Sequence, residues 1–193
     1  MPFNLPIFLT WFRIVMIPLL VAIFYLPESW FSLAEKNLIA TIVFTGAAVT
    51  DWLDGYLARK WNQTSAFGAF LDPVADKLIV AAALIVLVDL SRVDAVLAFI
   101  IIGREITISA LREWMAKIGE TKSVAVNFLG KIKTVAQLVA VPMLLYYEPI
   151  GPLQPAILGT WLIWAAAVLT LASMFYYLKL ASPRAFARRG TTI

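Results

Sequence analysis

Asp51-Trp52-Leu53-Asp54-Gly55-Tyr56-Leu57-Ala58-Arg59, eight further residues, and then Gly68-Ala69-Phe70-Leu71-Asp72-Pro73-Val74-Ala75-Asp76 place four aspartates where one long apolar run gives way to the next. The runs cover 37–57 and 70–90. Each suffices for a helix across a bilayer's hydrocarbon core, which takes about 20 residues at about 1.5 Å each. At about 100° per residue, side chains three or four apart share a helix face. Asp51 and Asp54 therefore face one way on the first helix, and Asp72 and Asp76 face one way on the second. Two antiparallel helices joined by a short loop bring all four carboxylates to one level.

Outward from this pair, further apolar runs cover 7–26, 93–114, 134–147 and 154–180, which makes six in 193 residues. The expected fold is all-α: a polytopic membrane protein with six transmembrane helices, one domain over 1–193 and no internal repeat. Composition agrees, with 62% apolar and 15% charged residues against roughly 45–50% and roughly 25% in soluble domains. Disorder is excluded by the apolar excess. The first run reads as a span and not as a cleavable signal peptide, because it is span-length and no small-residue cleavage site follows. The opening 1–12 is amphipathic enough to lie in the interface before that span turns inward, and Trp30, Trp61 and Trp114 are expected headgroup-level anchors.

With both termini in the cytoplasm, every basic residue except Lys36 and Arg92 falls on the cytoplasmic side, as the positive-inside rule requires. Glu28, Glu35, Asp89, Asp94 and Glu148 fall in the outer loops. The net charge of +4 is then accounted for by topology and lipid phosphates, and no nucleic-acid partner is expected. The expected location is a membrane, with both termini on its cytoplasmic side.

Charged groups at membrane depth cost several kcal/mol unless paired, hydrated or ion-bound. Snorkelling to the interface explains an isolated lysine such as Lys117 or Lys179, but not four carboxylates, so a polar cavity open to the cytoplasmic side is expected at their level. Cys and His are both absent, which removes thiol nucleophiles, Cys/His zinc sites and a histidine base. Four aspartates packed together repel unless protonated or bridged by a multivalent cation. Oxygen ligands alone select Mg²⁺ or Mn²⁺, and four carboxylates suffice for two such ions. Gly55, Gly68 and Ala58 keep side chains out of the way of a closely approaching substrate, and Arg59 can grip phosphate through two parallel hydrogen bonds.

Taken whole, the quoted string resembles the signature of the CDP-alcohol phosphotransferase family at all eight positions: Asp51, Asp54, Gly55, Ala58, Arg59, Gly68, Asp72 and Asp76. The resemblance implies a six-helix membrane enzyme, commonly a homodimer, in which an alcohol displaces CMP from a CDP-linked substrate. It implies that Asp51, Asp54 and Asp72 bind two divalent ions, and that Asp76 adds to metal binding and takes the proton from the attacking hydroxyl. Gly55, Ala58, Arg59, Ser65 and Gly68 would hold the CDP moiety of CDP-diacylglycerol, with Thr10 and Arg13 nearby. This agrees with what phosphoryl transfer needs: charge neutralisation, an in-line hydroxyl and a base.

The acceptor is read from the fourth and fifth runs. Arg104 and Arg112 stand about two turns apart and suggest a second phosphate, and Lys131 and Lys133 come to the start of the next span. These stretches and the opening 5–13 resemble bacterial members of the family whose acceptor is sn-glycerol 3-phosphate. Arg104, Arg112, Lys131 and Lys133 are then the glycerol-phosphate ligands. Many members carry Pro-Asn where this chain has Pro6-Ile7, so a nucleotide contact from that Asn is missing unless Asn4 replaces it. The plainer alternatives are ion pairing of Arg104 or Arg112 with Glu105 or Glu113, and lipid-headgroup contact for the two lysines. Competing functions are a family enzyme acting on inositol phosphate, inositol or serine and, remotely, a divalent-cation transporter. The latter is disfavoured because transporter sites usually lie near the midplane on broken helices, whereas these carboxylates sit at one end.

Overall fold

The structure is a computed structural model. It describes residues 5–61, 66–117 and 128–187, with side chains for 8–51, 53, 56, 60, 68, 70–117 and 132–175. The described residues form six helices: α1 (Leu5–Tyr25), α2 (Leu33–Trp61), α3 (Ala66–Asp89), α4 (Ala95–Lys117), α5 (Phe128–Tyr146) and α6 (Pro155–Ala187). Each expected run lies within a helix to within a few residues, but polar flanks lengthen several.

Local chemistry sets these ends. α2 starts before its apolar run because Ser32 and Glu35 form a capping box: the Ser32 N–H and Oγ both donate to Glu35 Oε2 at 2.8 Å, satisfying donors that the first turn leaves open. Asp94 caps α4 by accepting from the Val96 N–H at 2.8 Å. α6 opens on Pro155, whose missing N–H is harmless at a first helical position. Between α3 and α4 the chain reverses within a few residues through Ser91, at φ 57°, and the Arg92 and Val93 N–H groups return to the Leu87 carbonyl. α5 stops at Tyr147, also left-handed at φ 65°. Of the amphipathic opening, residues 5–12 are described and belong to α1, which is continuous from Leu5 to Tyr25.

The helices pack as a ring, α1–α2–α5–α6–α4–α3, closed by contact of α3 with α1 and crossed by contacts of α3 with α2 and α5. Leu20, Phe44, Leu84, Leu87, Ile101, Leu144 and Ile163 are buried in its core, and Ile108 and Met115 form a second small cluster. α5 and α6 approach closely at Gly159, where an added Cβ would meet Leu144 Cγ at 2.8 Å and the Ala140 carbonyl oxygen at 3.2 Å.

Among the described residues three helices carry a stretch long and apolar enough to cross a membrane, Phe8–Tyr25, Leu33–Asp51 and Pro155–Phe175, while Ile132–Tyr146 is apolar but shorter. α3 and α4 fall short because Asp72, Asp76 and Lys77, and Arg104, Glu105 and Arg112, lie within them. Of these residues Asp76, Lys77 and Glu105 line the cavity described below.

Candidate active site

Thr10 and Arg13, three residues apart on α1, share a face and are buried, at 2% and 0% exposure. Both turn to the aspartates. Thr10 Oγ1 donates to Asp72 Oδ1 at 2.6 Å. Arg13 Nη1 donates to Asp76 Oδ1 at 2.6 Å and lies 3.1 Å from Asp51 Oδ1. One guanidinium nitrogen thus joins a carboxylate of α2 to one of α3. Asp51 and Asp76 each keep 43% of their side-chain surface open, so they remain accessible to a ligand.

Of the other expected site residues, Gly68 is buried in α3. Asp54, Gly55, Ala58 and Arg59 lie on α2 and Lys131 on α5, but their side chains are outside the described residues, as is all of Ser65. Among the described residues no three carboxylates form a ready ligand cluster. The donor chemistry nevertheless fits a hard divalent cation: the donors are oxygens only, and Asp51 and Asp76 already converge on one positive group.

A second charged group lies between α4, α5 and α6. Glu105 accepts from Arg104 Nη1 at 3.0 Å and from Lys133 Nζ, and Arg104 Nη2 also donates to Ser173 Oγ at 3.0 Å. Arg104 and Lys133 are 5% and 3% exposed. Arg104 therefore does pair with Glu105, the plainer alternative raised above. Glu113 pairs instead with Lys117 at 3.0 Å on the surface. Arg112 stands within electrostatic range of Lys133. Among the described residues, this group of two cations and one carboxylate carries net positive charge beside the cavity.

That cavity measures about 290 Å³. Arg13, Asp51, Asp76, Lys77, Glu105 and Gln137 form its polar wall, with Thr134 between them, and Phe44, Ala47, Ile79 and Val80 are among its apolar lining. It joins the aspartate group to the Arg104–Glu105–Lys133 group. The sequence reading did not single out Glu105 as a shared partner, nor Lys77 and Gln137 as lining residues. For Gln137 a signal was present: it interrupts the apolar run of α5 four residues after Lys133.

The family model for CDP-alcohol phosphatidyltransferase matches residues 3–172. The chain is 50% identical to a Haemophilus influenzae protein over 184 residues, covering 94% of this chain and 95% of that one. It is 50% identical to an Escherichia coli protein over 183 residues, covering 94% and 96%, and 49% identical to a Salmonella choleraesuis protein over 183 residues, again covering 94% and 96%. All three are named CDP-diacylglycerol–glycerol-3-phosphate 3-phosphatidyltransferase. The match spans both charged groups and the helices that carry them: this chain belongs to the CDP-alcohol phosphatidyltransferase family.

Proposed function

We propose that this protein transfers the phosphatidyl group of CDP-diacylglycerol to sn-glycerol 3-phosphate, giving phosphatidylglycerol phosphate and CMP in phospholipid synthesis. The observation that carries this reading is the convergence of Asp51 and Asp76, from two helices, on one nitrogen of Arg13 at the wall of a cavity. The choice of acceptor rests on the half-identity to relatives that bear that name over nearly the whole chain.

In this reading Asp51, Asp54, Asp72 and Asp76 would hold Mg²⁺ or Mn²⁺. Bound there, two such ions supply charge neutralisation for the diphosphate. Thr10 holds Asp72, and Arg13 holds Asp51 and Asp76, in fixed directions through the contacts described above. Asp76 takes the proton from the glycerol hydroxyl as the new phosphorus–oxygen bond forms; the bond to the CMP oxygen breaks, and CMP leaves with that electron pair. Gly55, Ala58, Arg59, Ser65 and Gly68, with Thr10 and Arg13 beside them, hold the CDP moiety. Arg104, Arg112, Lys131 and Lys133 attract the acceptor phosphate, drawing on the positive excess that remains around Glu105.

The proposed setting is the bacterial cytoplasmic membrane, with six spans, both termini and the cavity mouth on the cytoplasmic side, lipids around the helices and a second copy as partner. The apolar stretches of α1, α2 and α6 support membrane residence. The basic residues gathered at one side support the orientation.

The test is CMP release by detergent-purified protein with CDP-diacylglycerol and Mg²⁺, comparing glycerol 3-phosphate with inositol phosphate, inositol, serine and no acceptor. Release only with glycerol 3-phosphate is expected, abolished by chelator and restored by added metal. Release with another alcohol overturns the acceptor, and full activity in chelator overturns the metal site.

A further inference from the structure

On α5, Lys133, Thr134 and Gln137 are spaced by three and four residues and share one face. Thr134 and Gln137 line the cavity together with Asp76 and Glu105. Gln137 is 6% exposed, and its Nε2 is buried with no hydrogen-bond partner among the described residues. A buried amide N–H with no acceptor gives up its bonds to water and gains none, so such groups are rare and call for an explanation. Methionine or leucine would fill the same space without that penalty. A donor kept in this state on a cavity wall suits a ligand that brings an acceptor oxygen.

The surroundings indicate which ligand. The cavity joins Asp76, the proposed base, to Glu105 and its cationic partners, the side on which the attacking hydroxyl and the acceptor phosphate would lie. Gln137 stands one turn from Lys133, whose partner Glu105 also binds Arg104, so it extends the cationic side of the cavity. We propose that Gln137 Nε2 donates a hydrogen bond to an oxygen of the small phosphorylated acceptor, and that Gln137 thereby sets acceptor affinity and not affinity for the CDP lipid. This rests on the reaction proposed above.

Gln137→Leu and Gln137→Met in the full-length protein test it. Initial rates of CMP release are measured while glycerol 3-phosphate is titrated at saturating CDP-diacylglycerol, and the reverse, alongside the melting temperature. The acceptor KM should rise about tenfold, the effect of one lost hydrogen bond in a site built to make it, with the CDP-diacylglycerol KM changing less than about twofold. The melting temperature should stay level or rise, because an unsatisfied buried donor has been removed. Gln137→Glu has the same shape and keeps the test available should the apolar variants not fold; a carboxylate facing an anionic acceptor should raise its KM further. An unchanged acceptor KM, or an equal rise in the CDP-diacylglycerol KM, overturns the assignment. A folded wild-type protein that releases no CMP with glycerol 3-phosphate overturns the reaction itself, a result distinct from an active wild type with indifferent Gln137 variants.

Discussion

Arg13 and Arg92 mark two ends of the same bundle and hold very different company. Arg13 is buried and gives one nitrogen to two carboxylates that are each 43% open. Arg92 gives its guanidinium to neutral oxygens: Nη1 donates to the Leu144 and Leu145 carbonyls at 3.0 and 2.8 Å, Nη2 donates to Asn37 Oδ1 at 2.8 Å, and the group lies 4.3 Å from the Tyr147 ring centroid. Lys36 at that end likewise donates to the Leu26 carbonyl at 2.5 Å. Burial pushes the Arg92 guanidinium below its ordinary range, and nearby Tyr147 and Glu148 oppose the shift. At the Arg92 end, cations close helix C-termini whose carbonyls have no intrahelical partner. At the Arg13 end, the partners are ionisable and face a cavity. Depth and charge alone do not mark function; the partner's chemistry and its access to a ligand do.

The contrast breaks most sharply at Asp76. Asp76→Asn should lower kcat by on the order of 10³-fold or more, as loss of a general base does, while CDP-lipid binding and the melting temperature stay near wild type. Steady-state rates and a binding assay check this, and normal turnover would remove the base assignment. Arg92→Leu should do the reverse. Losing charged hydrogen bonds to three oxygens should destabilise the fold by about 2–4 kcal/mol, seen as a lower unfolding midpoint in detergent, with both KM values and kcat unchanged in the folded fraction. A selective loss of activity at full stability would show that the Arg92 end also serves the reaction. Gly159→Ala probes a contact with no charge at all. Its Cβ would stand 2.8 Å from Leu144 Cγ, and the repacking should cost about 1–2 kcal/mol without changing catalysis; a neutral midpoint would mean that Leu144 yields freely.

The helices were legible in the sequence because each is built from a continuous apolar run, and burying backbone polar groups in such a run requires a helix. Their ends were less legible. The Ser32–Glu35 box starts α2 through local hydrogen bonding that an apolar count does not register. Asp51, Asp72 and Asp76 could be named from their spacing, since i to i+3 and i to i+4 relations are properties of a single helix. Thr10 and Arg13 were placed near the nucleotide by resemblance; the structure puts them on the carboxylates themselves, across more than sixty residues of chain. Gln137 was passed over because a lone amide in an apolar run carries no motif, and its meaning appears only with the cavity it lines.

The chain alone therefore determined what is local: six helical segments, the helix positions of the aspartates relative to one another, the absence of Cys and His chemistry, and the stretches in which the basic residues fall. Tertiary packing decided which charges meet. Arg13 joins Asp51 to Asp76, Glu105 binds both Arg104 and Lys133, and Gln137 is left on a cavity wall with a donor that has no partner among the described residues. Periodicity defines directions within one helix, but the crossing of helices distant in sequence selects partners between them, and that follows from how their side chains interdigitate.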